Sequence, residues 1–224
     1  MNNKFWSPEG TRPDLLADHL VQLRKQLLKI QPSRLAKLTG TTYYPNQQAG
    51  GKFLFQLWEK DVAFSYPELI GRDEQSGIEL PSGSQALLLY YFSTCDGTNP
   101  SGQWVSFSEL LNGRFYNQAF QGYTGGKLAQ AFQNNFGNFC QAAEGQGGQR
   151  VHLLGDAAYE YNVLPMVKLL VVTWQGDEDF DATYQVLFDA AVNHHLPTDA
   201  AAITASILTG RLTAELENIN ENRN

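Results

Sequence analysis

The chain has 224 residues, 42% of them hydrophobic and 17% charged, with a formal charge of −7. That composition is globular and supplies enough apolar surface to fold without a metal or disulfide scaffold. The acidic balance excludes a general nucleic-acid binder, which needs a basic face to neutralise phosphates. Two cysteines, Cys95 and Cys140, are too few for a Cys-only zinc knuckle or a self-contained cubane cluster.

In chain order, Thr11-Arg12-Pro13-Asp14 reads as a helix start. Leu15, Leu16, Leu20, Leu23, Leu27 and Ile30 follow at helical spacing until Gln31-Pro32. Before Thr11 there is no apolar run of the kind a signal peptide needs, and Val163 to Trp174 is too short to span a bilayer. The expected location is therefore cytoplasmic, without membrane insertion. Arg24, Lys25, Lys29, Arg34 and Lys37 form the one basic patch, and the first three suit a helix C-terminus.

Thr41 to Tyr44, Phe53 to Trp58 and Val62 to Tyr66 read as strands, the last two forming a hairpin across Glu59-Lys60-Asp61. A helix is expected over Gln85 to Cys95. From Thr98 to Thr124 the pattern dissolves into Gly, Asn, Ser and aromatics, a length that often marks a functional loop. Lys127 to about Glu144 reads as one helix ending in Gly145-Gln146-Gly147-Gly148. Val151 to Leu154, Ala157 to Val163 and Met166 to Trp174 read as strands, the last pair turning at Pro165. Thr183 to His194 reads as a helix, Thr198-Asp199 opens a last helix, and residues 218–224 form a polar tail. Clustered strands point to an α+β fold, one domain over residues 1–224 with its core at about 13–217. A mainly antiparallel sheet packed with about five helices is expected.

The familiar chemical motifs fail on context. The glycine cluster at 145–148 follows a helix, whereas a dinucleotide loop follows a strand. Asp177, Asp179 and Asp181 resemble the first ligands of a calcium loop, but Ala182 and Phe188 occupy its Gly and Glu positions. A looser cation site and a solvated acidic helix start both stay open there. His194-His195 point apart on a helix and suit a helix end. Cys95, beside Asp96, lacks a nearby cation to activate it, and Cys140, on the apolar side of the helix expected over 127–144, reads as a buried thiol. No metal site is assigned.

Two segments remain as site candidates. Gly102 to Lys127 carries Trp104, Phe107, Arg114, Phe115, Tyr116, Tyr123 and Lys127, rings and cations that could line a pocket for a flat or anionic small molecule. A core-packing loop with a capped helix is the alternative. Trp174 to Phe180 adds Trp174 and Asp177. The two segments are expected to meet in a shared concavity, with a buried Arg114 paired to Asp177, Glu178 or Asp156.

Several phrases in these segments resemble domain-of-unknown-function family 3786, an uncharacterised bacterial and archaeal family. They are Gly102 to Leu110, Phe115-Tyr116 to Phe120, Gly122-Tyr123, Trp174 to Phe180 and Leu187-Phe188-Asp189. Leu111-Asn112-Gly113 stands where Pro-Gly-Gly is usual in that family, and Met166-Val167-Lys168 replaces a turn richer in Arg and Pro. Some members carry an added iron–sulfur domain of the corrinoid-protein type, whose cysteines this chain lacks. The resemblance implies a non-catalytic or accessory module binding a flat cofactor, a corrinoid or other tetrapyrrole. Two alternatives stand beside it: a small enzyme using Asp177, Glu178 or Asp179 as acid, base or metal ligand, and a protein–protein adaptor.

Overall fold

In the computed structural model, residues 13–47 and 50–221 are described. The chain divides into two compact units, Met1–Thr98 and Asn99–Asn224.

The first unit contains α1 (Pro13–Leu27), α2 (Pro32–Thr39), β1 (Thr42–Pro45), β2 (Gly51–Leu57), β3 (Lys60–Tyr66), β4 (Gly71–Asp73) and α3 (Ser82–Thr94). Its sheet runs β1-β2-β3-β4, every neighbour antiparallel. The expected hairpin is present, with Leu57 opposite Lys60. Its two-residue turn, Trp58-Glu59, lies at φ of 52° and 63°, the positive angles that match the twist of paired strands. Alternation places Phe53, Phe55, Val62 and Phe64 on one buried face. There the Phe92 ring of α3 lies 4.9 Å from Phe53 and 4.7 Å from Phe64. Gln31-Pro32 ends the first helix as expected, but Pro32 also opens α2, because its missing N–H costs nothing at a first helical position. In the basic patch, Arg24 donates to the carbonyls of Glu68 and Leu69, a structural role.

The second unit contains β5 (Trp104–Val105), α4 (Asn117–Tyr123), α5 (Gly125–Phe132), α6 (Phe136–Gly145), β6 (Gln149–Val151), β7 (Ala157–Leu164), β8 (Val167–Trp174), β9 (Thr183–Asp189) and α7 (Thr198–Glu221). Its antiparallel sheet runs β5-β9-β8-β7-β6. One face carries Tyr159, Tyr161, Leu169, Val171, Tyr184, Val186 and Phe188, all buried. Rings from the helical layer pack there: Phe139 lies 5.2 Å from Tyr184 and 5.8 Å from Tyr159, and Phe120 lies 5.8 Å from Phe188. Each such ring contributes about 1.5–3 kcal/mol by leaving water. α7 packs on α5 and α6.

The α+β class and the antiparallel pairing are as the sequence predicts, while five local expectations are corrected. Of the strand expected over Val151 to Leu154 only Val151 is strand, at the end of β6, and residues 152–156 bend. Thr183–Asp189 is a strand, because Tyr184, Val186 and Phe188 alternate inward. The helix expected over 127–144 is two helices, broken at Gln133 (φ 49°) and restarted by Asn135, whose side chain accepts from the Asn138 N–H. Thr98 to Thr124 holds a short strand, two 3-10 turns and α4. The polar tail is the end of α7 as far as Glu221, with Ile219 buried; residues 222–224 lie outside the described ones. No helix among the described residues is long and apolar enough to cross a membrane.

Candidate functional site

The segment from Gly102 to Lys127 is fixed at its start by one carboxylate. Asp189, at the end of β9, is 1% exposed. Its Oδ1 accepts from the N–H and hydroxyl of Ser101 and the N–H of Ala191, and its Oδ2 from the Gly102 N–H at 2.7 Å. Gly102 sits at φ 70°, where a side chain would strain the backbone. This clamp sets β5 in register, Trp104 opposite Asp189 and Val105 opposite Phe188.

Beyond β5 the chain turns inward and then out. Phe107 is 2% exposed and stacks on Phe120 at 4.1 Å, so this predicted site residue belongs to the core. Ser106 donates its N–H and hydroxyl to Glu109, and these bonds hold the Glu109 carboxyl below its ordinary range. Gly113 lies so close to Phe107 that a Cβ would stand 1.8 Å from its carbonyl oxygen. Asn112, before it, is left-handed at φ 61°, a conformation Asn tolerates better than most residues.

That inward anchor at Gly113 and two hydrogen bonds at Leu111 fix the start of a ridge over residues 111–116. The Leu111 N–H donates to Asn193 Oδ1 at 3.1 Å, and Thr198 donates to the Leu111 carbonyl at 2.7 Å. On the ridge Leu111 is 70%, Phe115 84% and Tyr116 65% exposed. Arg114 is exposed too, and the ion pairs among the described residues are Lys52–Glu74, Arg72–Glu79 and Lys168–Glu160. The buried Arg114 pair is thus corrected: a guanidinium left in water needs no carboxylate. Tyr123 is half-buried, edge-on to Phe120 at 5.6 Å, and burial with the nearby Asp199 charge raises its phenol above the ordinary value. Lys127 is exposed on α5.

The second segment is a β8–β9 turn, not a helix start. Asp177 Oδ1 accepts the N–H groups of Asp179 and Phe180, and the Asp177 N–H donates to the Phe180 carbonyl. The Gln175 N–H donates to Asp156, and the Ala182 N–H to Asn134. Asp177, Glu178 and Asp179 are all exposed. Among the described residues no group of three or more His, Cys, Asp or Glu side chains could hold a metal ion.

Trp104 and Trp174 share the sheet face opposite the helices. Both pack against Ala158, Leu170, Val172 and Leu187. They arrive at different ends of β9, Trp104 opposite Asp189 and Trp174 opposite Thr183. The shared ground is a packed sheet face, with Arg114, Phe115 and Tyr116 outside that packing. Sequence reasoning missed Leu111 and the Asp189 clamp. An apolar residue inside an Asn-Gly turn was the available signal for the first; the second, a contact 87 residues apart, had none.

No curated protein and no solved structure matches the chain. A family model, "Domain of unknown function (DUF3786)", matches residues 31–211, which include the Asp189 clamp, the ridge and the acidic turn. The chain belongs to that family.

Proposed function

We propose that this chain is a non-catalytic binding module, a protein–protein adaptor whose contact element is the Leu111–Tyr116 ridge. The observation that carries the reading is three large apolar side chains held in water on a backbone fixed at Leu111 and Gly113. Small-molecule sites are concave and bury most of their ligand, whereas these rings project. Adjacent exposed apolar groups mark protein contacts, where Phe and Tyr are enriched. Anchoring also lowers the ordering cost of association. The carboxylates of the acidic turn are exposed, and Asp177 Oδ1 is bonded to amides of its own turn.

A flat cofactor, corrinoid or other tetrapyrrole, is the second reading, supported by two exposed rings flanking the Arg114 cation and by the family resemblance. Both readings use the ridge, so one variant separates them. Phe115→Ser/Tyr116→Ser should melt like the wild type, because both rings are exposed. Immobilised wild-type chain should retain a defined protein from an extract of its source cells that the variant does not retain. Equal retention by both chains contradicts the adaptor. An absorbance shift with corrinoids or porphyrins at tens of micromolar, lost in the variant, assigns the ridge to a flat cofactor instead.

A further inference from the structure

The second sheet is open along β6. In the order β5-β9-β8-β7-β6 this strand pairs, among the described residues, only with β7, through Gln149–Glu160, Arg150–Tyr159 and Val151–Ala158. Beyond that ladder, the N–H groups of His152 to Gly155 have no backbone partner among the described residues. Unpaired amides and carbonyls along a sheet edge are a template for another strand.

Proteins usually blunt such edges by shortness and charge, and β6 is short and carries Arg150. The segment after it is not blunted. Arg150 to Ala157 line an open groove of about 310 Å³, with Leu153 58% and Leu154 43% exposed. The groove is fixed from behind: the Asp156 N–H donates to the Thr173 carbonyl, and Asp156 Oδ2 accepts from the Gln175 N–H. Gly155, at φ 63°, lies against β8, where a Cβ would stand 2.5 Å from the Thr173 carbonyl. On a chain of formal charge −7, Gln149 to Gly155 carries Arg150 and His152 and no acidic side chain. Asp156 borders it with one oxygen already bonded.

We propose that β6 and the loop after it dock an extended segment of another protein, alternating acidic with apolar side chains, as an added strand. Main-chain bonds to β6, Gln149–Val151, hold it, Leu153 and Leu154 on the loop take its apolar residues, and Arg150 takes a carboxylate.

The test uses capped, fluorescent Glu-Val-Glu-Val-Glu and the full chain. Saturable binding is expected, and Lys-Val-Lys-Val-Lys should bind roughly tenfold more weakly, as reversed charge at a contact does. Arg150→Glu, at an exposed position, should melt like the wild type and reverse that preference. Of two peptides N-methylated at alternate residues, one should lose binding and the other keep it, because only one set of amides faces the edge. No saturable binding at millimolar peptide, equal binding of both N-methylated forms, or equal binding of the Lys peptide overturns the proposal. Self-association that the peptide displaces also overturns it, since the occupant is then a second copy.

Discussion

Asp189 and Arg114 show how differently two charged residues of the same unit behave. Asp189 is buried and accepts four hydrogen bonds, three of them from backbone amides. Asp189→Ala leaves those amides without an acceptor and should cost about 3–4 kcal/mol by urea denaturation, with Asp189→Asn about half as severe. Arg114→Ala should cost less than about 1 kcal/mol in the same measurement, because an exposed cation has little to lose. Cys95 gives a pH prediction. Burial raises its thiol from 9.0 to about 12, with Asp96 adding to the rise. The folded chain therefore holds a proton that the unfolded chain releases between those values. Its contribution to stability is complete below pH 9 and is lost as pH climbs toward 12. Melting temperature should fall through that window, and less so in Cys95→Ala once its lower starting value is subtracted. The sequence showed neither cysteine as a nucleophile, and the burial of Cys95 accords with that. It could not separate Phe107 from Phe115, since both are rings in one irregular loop and only the path of the backbone turns one inward and the other outward.

At the scale of elements, legibility followed hydrophobic period. The hairpins at 53–66 and 157–174 were readable because alternation and turn residues agree. β9 was misread because Val186, Leu187 and Phe188 stand in a row, and a short apolar run does not distinguish strand from helix. The α5–α6 break was hidden because Gln133-Asn134-Asn135 are polar on both readings; the positive φ at Gln133 is imposed by tertiary packing, with Tyr184 donating to its carbonyl. The ridge depends on the close approach of Gly113 to Phe107. Gly113→Ala should therefore destabilise the chain by at least about 2 kcal/mol through forced backbone displacement. Asn112→Gly should be neutral to within about 1 kcal/mol, because glycine accepts the same left-handed angle. Chemical denaturation of the two variants compares them directly.

For the whole molecule, composition and strand clustering were enough for the α+β class. Division into two compact units was not visible, because the boundary falls in Asp96–Gly102, a Gly-, Asn- and Pro-containing stretch that reads equally as the start of a long loop. The expectation of one cooperative domain is testable by fluorescence: variants keeping only Trp58, or only Trp104 and Trp174, should unfold at the same urea concentration. Two separate midpoints would mean that the units fold independently. The central claim is that the Leu111–Tyr116 ridge meets a protein partner. Its most direct measurement is photo-crosslinking in the source cell, with a photoreactive phenylalanine at position 115 and a control at Gln141, which is exposed on α6. The account predicts a discrete crosslinked protein from position 115 and none from position 141; no adduct at 115, or the same adducts at both positions, would contradict it.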